Sequence, residues 1–161
     1  MKVQHHAVFS LAFAALLGFW LRSAAAGLAC FLGGVLVDGD HAMDYLWNRP
    51  GSFRPRRFFE TFEKELLDRI FVLLHSWEII AAGALALAVL PAARRPAALG
   101  LLAGMAAHLA LDNAFNRHSR WAYFLLFRLR HGFAGRHFYG PREYHARRRH
   151  MRRMAPRGGT P

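Results

Sequence analysis

The chain has 161 residues, 54% of them hydrophobic, and a formal charge of +12, which suits one domain with a sizeable core or several membrane spans and excludes a disordered polymer. Its one cysteine, Cys30, lies inside an apolar run and excludes both an intrachain disulfide and a cysteine-rich zinc module, so a metal would take its ligands from His, Asp and Glu. The basic excess is uneven: residues 1–113 carry ten Lys/Arg against nine Asp/Glu, whereas residues 114–161 carry twelve Arg against Glu143 alone.

In chain order, a short polar start with Lys2 precedes residues 7–21, fifteen positions without a charge. Read alone this is a secretory signal, with cleavage near the small residues 24–27. A second apolar run, 23–37, follows after only Arg22, and that favours a tight helical hairpin over a cleaved leader. Fifteen helical residues reach only ~22 Å against a hydrocarbon core of ~30 Å, so insertion of either run requires local thinning or snorkelling.

The second run ends abruptly in Asp38-Gly39-Asp40-His41. Asp and His are hard-oxygen and borderline-nitrogen donors, and the glycine lets the backbone turn so that more than one can converge on an ion. The same residues also read as a turn followed by a helix N-cap at Asp40. A turn-rich connector, 48–55, leads to Phe58, Phe62, Leu66 and Ile70 at intervals of four, the pattern of an interfacial amphipathic helix running on into the next span. Residues 70–90 form the strongest expected span, interrupted by His75, Ser76 and Glu78. Residues 97–110 form a fourth apolar run closing on His108 and Asp112, with Gly100 and Gly104 giving a small-residue face for close packing. Residues 121–129 are aromatic and too short to span, and the arginine-rich remainder reads as a mobile or surface-bound tail.

The expected fold is therefore an all-α, polytopic membrane bundle of about four spans, residues 1–130, with an interfacial helix and a basic tail, 131–161. Six Lys/Arg lie between Asp38 and Arg69 and twelve follow Asp112, so the positive-inside bias puts both termini and the long loop in the cytoplasm of a bacterial-type inner membrane. That topology, inferred from Lys and Arg alone, brings His6, Asp38, Asp40, His41, His75, Glu78, His108 and Asp112 to one side of the bilayer. An ionisable group within a span costs at least ~2.5 kcal/mol, which marks such clusters as functional candidates.

His6, the Asp-Gly-Asp-His of 38–41, the Leu-His-Ser of 74–76 and the His-Leu-Ala-Leu-Asp of 108–112 together resemble the inner-membrane-associated metal-dependent hydrolases, grouped with the all-α zinc-dependent phospholipase C and P1 nuclease proteins. The resemblance covers roughly residues 1–115. It implies a divalent ion, zinc first, activating water to hydrolyse a phosphoester such as a phospholipid. His6, Asp38, Asp40, His41, His75, His108 and Asp112 are then the expected ligands or their supports, with Glu78 and Asp40 as catalytic carboxylates. Two other classes stand beside this one: a divalent-cation transporter or sensor, and a membrane-tethered module working through its arginine tail. For the tail, anionic lipid headgroups are favoured over nucleic acid.

Overall fold

A computed structural model describes residues 3–48, 53–64, 67–116 and 118–154. The fold is all-α. Its elements are α1 (Val3–Trp20), α2 (Ala24–Leu36), a 3-10 turn (Val37–Gly39), α3 (Asp40–Asn48), α4 (Pro55–Lys64), α5 (Trp77–Ala86), a second 3-10 turn (Ala92–Arg94), α6 (Arg95–Phe115), α7 (Leu125–Arg130), α8 (Gly135–Phe138) and α9 (Pro141–Met154). Among the described residues there is no strand beyond two isolated bridges, Arg69 with Ala134 and His118 with Tyr139.

The chain divides into two compact units. The first comprises Met1–Asp40, Val72–Asn116 and Tyr123–Leu125, and the second His41–Phe71, Arg117–Ala122 and Leu126–Pro161. This division departs from the expected boundary at residue 130. Residues 135–154, expected in a tail, form α8 and α9 within the second unit.

In the first unit, α1 and α2 make the expected hairpin. Ser23 caps α2 by accepting the Ala26 N–H at 3.2 Å, and Arg22 takes a left-handed φ of 48° to turn the chain. α2 packs against α6 and α1, and α5 against α6. Glycine sets the α2–α6 distance: a Cβ on Gly104 would fall onto the Cys30 carbonyl and one on Gly100 onto the Ala26 carbonyl, so the two backbones touch directly.

Residues 70–90 do not form one span. Helix is confined to Trp77–Ala86, ten residues or ~15 Å. The cause lies in residues 70–74, where the amides of Ile70, Phe71 and Leu74 donate to distant groups and not to the carbonyls four residues before them. The Ile70 N–H goes to the Phe133 carbonyl (2.9 Å), that of Phe71 to Asp44 Oδ1 (2.8 Å) and that of Leu74 to Asp40 Oδ2 (2.7 Å). With their donors committed, these residues cannot propagate an α-helix, and Val72 is left at φ 30°, an uncommon conformation for a β-branched residue. α6 is, among the described residues, the one helix that with its leading turn (Ala92–Phe115) is long and apolar enough to cross a membrane.

The second unit is held by aromatics and by its own polar clasps. Phe58 sits 5.0–5.7 Å from the rings of Tyr45, Phe53 and Phe62, and the backbone of Phe71 is gripped by buried Asp44 and buried Arg128, whose Nη1 donates to its carbonyl. The amphipathic helix foreseen from Phe58 and Phe62 exists as α4, but it does not continue to Ile70, which lies outside any helix; Leu66 falls outside the described residues. α9 is attached through Glu143, which accepts from His118 Nδ1 and from Arg147 at 2.8 Å each, and through Arg147 Nη1, which donates to the Phe62 carbonyl (2.8 Å). Burial works against the Glu143 charge, but the His118 and Arg147 contacts outweigh it and hold its carboxyl below the usual range.

Two predictions follow from the packing. Gly104→Ala should lower the thermal midpoint of the full chain by several degrees, as expected for overpacking by ~1–3 kcal/mol, whereas Gly39→Ala, whose added Cβ meets nothing within 4 Å, should leave it unchanged. A depressed folded pKa stabilises above the ordinary carboxylate range and loses that contribution as pH falls through the folded value. Unfolding of the second unit followed from pH 7 down to pH 3 should therefore show a loss of stability that Glu143→Gln removes. An unchanged pH slope in that variant would contradict the α9 attachment.

Candidate metal centre

The candidate site is built within the first unit from the ends of its helices. His108 stands on α6, four residues before Asp112, so both project from one face. Gly34 belongs to the last four residues of α2, whose carbonyls have no partner within the α-helix. Because glycines let α2 and α6 touch, the Gly34 carbonyl reaches His108 Nδ1 at 2.8 Å. A carbonyl only accepts, so Nδ1 carries the proton and His108 Nε2 presents its lone pair.

His75 is oriented in the same manner by a carboxylate. Asp40 Oδ1 lies 3.0 Å from His75 Nδ1, and its other oxygen holds the Leu74 N–H. His75 Nε2 is thereby directed inward as an acceptor. The 3-10 turn after α2 then swings Asp38 over the two rings: Asp38 Oδ1 is 3.4 Å from both Nε2 atoms, and Asp112 Oδ2 is 3.8 Å from that of His75 and 3.6 Å from that of His108.

Four donors thus converge: two imidazole nitrogens and two carboxylate oxygens. Their separations of 3.4–3.8 Å exceed the 2.7–3.2 Å of a good hydrogen bond, so protons on the histidines satisfy the cluster poorly. Ligands about 2.0–2.2 Å from a tetrahedral ion stand ~3.3–3.6 Å apart, close to what the cluster presents. His108 Nε2 is buried and makes no hydrogen bond. Lone pairs and carboxylates drawn this close in a buried site need positive charge between them. The residues fit a divalent ion.

His6 and Asn116 complete the arrangement from behind. His6 Nε2 is 3.0 Å from Asp112 Oδ1, and its ring stacks on His108 with centroids 4.1 Å apart. Asn116 Nδ2 donates to the same oxygen at 2.7 Å and lies 3.2 Å from the Tyr123 hydroxyl. Both fix Asp112 so that Oδ2 faces the cluster. His6, His108 and Asp112 also present polar atoms within 4.8 Å of one another, but the set of His75, His108, Asp38 and Asp112 brings in both histidine lone pairs. The side chains that face the cluster are closed off, at 0–7% exposure, except Asp38 at 24%, which marks the open edge.

Asp38, His75, His108 and Asp112 are therefore brought together from the expected set, with His6 and Asp40 as their orienting partners. Asp40, expected among the catalytic carboxylates, has both oxygens engaged in holding neighbours. Glu78 accepts the Leu125 N–H at 2.8 Å and so ties residues 123–125 to the first turn of α5. His41 opens the second unit, where its ring packs on Phe62 with centroids 4.7 Å apart. Gly34, Asn116 and Tyr123 were missed from sequence. Asn116, four residues after Asp112 on the same helix face, carried a signal in its spacing, whereas a backbone carbonyl carries none. No family model, curated protein or solved structure matches the chain.

Zinc competition against a chromogenic chelator tests the assignments. His75→Ala and His108→Ala should abolish tight binding. Asp40→Asn and Asn116→Ala should weaken it by about 10–100-fold, the usual cost of losing a partner that orients a ligand. Equal affinity in Asp40→Asn and the parent chain would overturn the role given to Asp40.

Proposed function

We propose that the protein is a multi-pass membrane hydrolase that uses one divalent ion, zinc by its donor set, to cleave a phosphoester of an amphiphile such as a phospholipid. The observation that carries this reading is the convergence of two imidazole nitrogens and two carboxylate oxygens at 3.4–3.8 Å around a buried point open only beside Asp38. It agrees with the resemblance carried by His6, 38–41, 74–76 and 108–112.

The membrane assignment is supported by the inverted character of the first unit. Leu16, Phe19, Leu28, Leu85 and Val89 are 62–86% exposed, while His6, Ser10, His75, His108 and Asp112 are buried. Water would penalise such an exterior and lipid would not. In this reading α1, α2, α5 and α6 form the membrane bundle, with both termini cytoplasmic. α2 and α5 are shorter than the hydrocarbon core, so the bilayer thins around them.

The site residues sit toward helix ends: His6 near the start of α1, Asp38 past the end of α2, His75 before α5, and His108 and Asp112 in the C-terminal half of α6. Water and a headgroup reach such a site from the membrane surface, whereas a permeation path would hold its polar groups nearer mid-span. A bound ion would lower the pKa of water to about 7 and polarise a phosphoryl oxygen. The protein's part is to hold His75 and His108 as neutral acceptors through Asp40 and Gly34, to hold Asp112 through His6 and Asn116, and to leave Asp38 facing the entrance. Exposed Leu36, Leu73 and Leu74, close in sequence to Asp38 and His75, give the entrance apolar surroundings suited to acyl chains.

The full chain reconstituted with zinc and a fluorogenic phospholipid should release product at a rate that chelator abolishes and that His108→Ala lowers by at least about a thousandfold, as loss of an ion-holding ligand does. Absence of turnover in the zinc-loaded parent chain across glycerophospholipids and simple aryl phosphodiesters would contradict the hydrolase reading.

A further inference from the structure

The two units differ sharply in charge. The first carries four Lys/Arg and four Asp/Glu, whereas the second carries eighteen of the 22 Lys/Arg and six of the ten Asp/Glu, so the whole formal charge of +12 belongs to the second. Several of its acids are turned inward or paired: Asp44 is buried on the Phe71 N–H, Glu143 is bound by His118 and Arg147, and Glu60 pairs with Arg56. Arg56, Arg128 and Arg147 are engaged within the unit, whereas Arg57, Arg142, Arg148 and Arg149 are exposed.

α9 makes the asymmetry concrete. One side of it, Glu143, Tyr144, Arg147 and His150, is partly buried, and its Arg147 guanidinium lies over the Tyr139 ring at 4.8 Å. The other side exposes Arg142, His145, Arg148 and Arg149. The helix is thus fixed by one face and offers a row of cations on the other. Apolar groups are exposed in the same unit: Met43, Leu46 and Trp47 share one face of α3, and Phe59 on α4 follows exposed Arg56 and Arg57.

We propose that the second unit is a docking face for an anionic lipid surface, its arginines meeting phosphate headgroups and its exposed Met43, Leu46, Trp47 and Phe59 entering the headgroup boundary. A nucleic-acid duplex would use the cations but leave these apolar groups in water, which is why lipid is the favoured occupant. The proposal rests on the membrane placement of the first unit and is independent of the metal. The binding face is a folded unit, not a tail, and the chain passes into and out of it repeatedly, so it stays at whatever membrane holds the first unit.

The test uses the full chain in nanodiscs of zwitterionic lipid alone or with about one-third anionic phospholipid. Trypsin cleavage after Arg56, Arg57, Arg142, Arg148 and Arg149 should be at least about fivefold slower in the anionic discs and should return to the neutral-disc rate in 0.5 M salt. Cleavage after Arg94, in the first unit, serves as the internal control and should not change. The combined Arg142→Gln, Arg148→Gln, Arg149→Gln variant should lose much of the protection at Arg56 and Arg57 while keeping zinc content. Equal cleavage in the two discs would overturn the proposal, as would protection that appears in neutral discs only when a single-stranded oligonucleotide is added, which would identify a nucleic-acid partner. A chain that elutes apart from discs of either composition would defeat the membrane reading itself, a failure visible before any protease is added.

Discussion

Direct backbone contact between α2 and α6 is the constraint on which the site depends. It exists because Gly33, Gly34, Gly100 and Gly104 leave no side chain between the helices, and any Cβ at Gly104 would collide with the Cys30 carbonyl. Only at that separation does the Gly34 carbonyl take the His108 proton, and only then does the turn at Val37–Gly39 carry Asp38 to within 3.4 Å of His108 Nε2. Packing, tautomer and site geometry are one event here, because small residues at a helix crossing decide which nitrogen of a histidine faces the cluster.

A second consequence of the same economy of side chains is the inverted polarity of the first unit. Its interior holds three histidines and two aspartates, and large apolar groups such as Phe19, Leu85 and Val89 are turned outward. Buried ionisable groups are costly unless they hold one another or an ion, and the network does the former: Asp40 on His75, His6 and Asn116 on Asp112. The second unit obeys ordinary rules, with an aromatic interior and a charged exterior, and carries the chain's whole positive excess. The charge segregation seen along the sequence is a segregation between units, since residues 41–71 belong with the arginine-rich end of the chain.

What was legible in the sequence divides along local and non-local lines. The helical hairpin at Arg22, the amphipathic α4 and the long α6 are written in apolar runs and periodicity, and all are present. The ligand candidates were legible because each is an ionisable residue at the end of an apolar run. What failed was the third span: the composition of residues 70–90 says helix, but Asp40, Asp44 and the Phe133 carbonyl capture the amides of Leu74, Phe71 and Ile70. Those acceptors lie 27 or more residues away, and no local pattern reports them. The arginine-rich end was read as a tail for a similar reason, since its attachment runs through Glu143 to His118 and through Arg147 to Phe62.

The central claim is that two imidazoles and two carboxylates from three segments of the first unit, with His108 and Asp112 sharing α6, hold one ion. X-ray absorption at the zinc edge of the purified full chain addresses it most directly. The account predicts about one zinc per chain, with two imidazole nitrogens and carboxylate oxygens at ~2.0–2.2 Å and no sulfur in the coordination sphere. A chain that binds no stoichiometric metal, or a spectrum showing sulfur from Cys30, would contradict it.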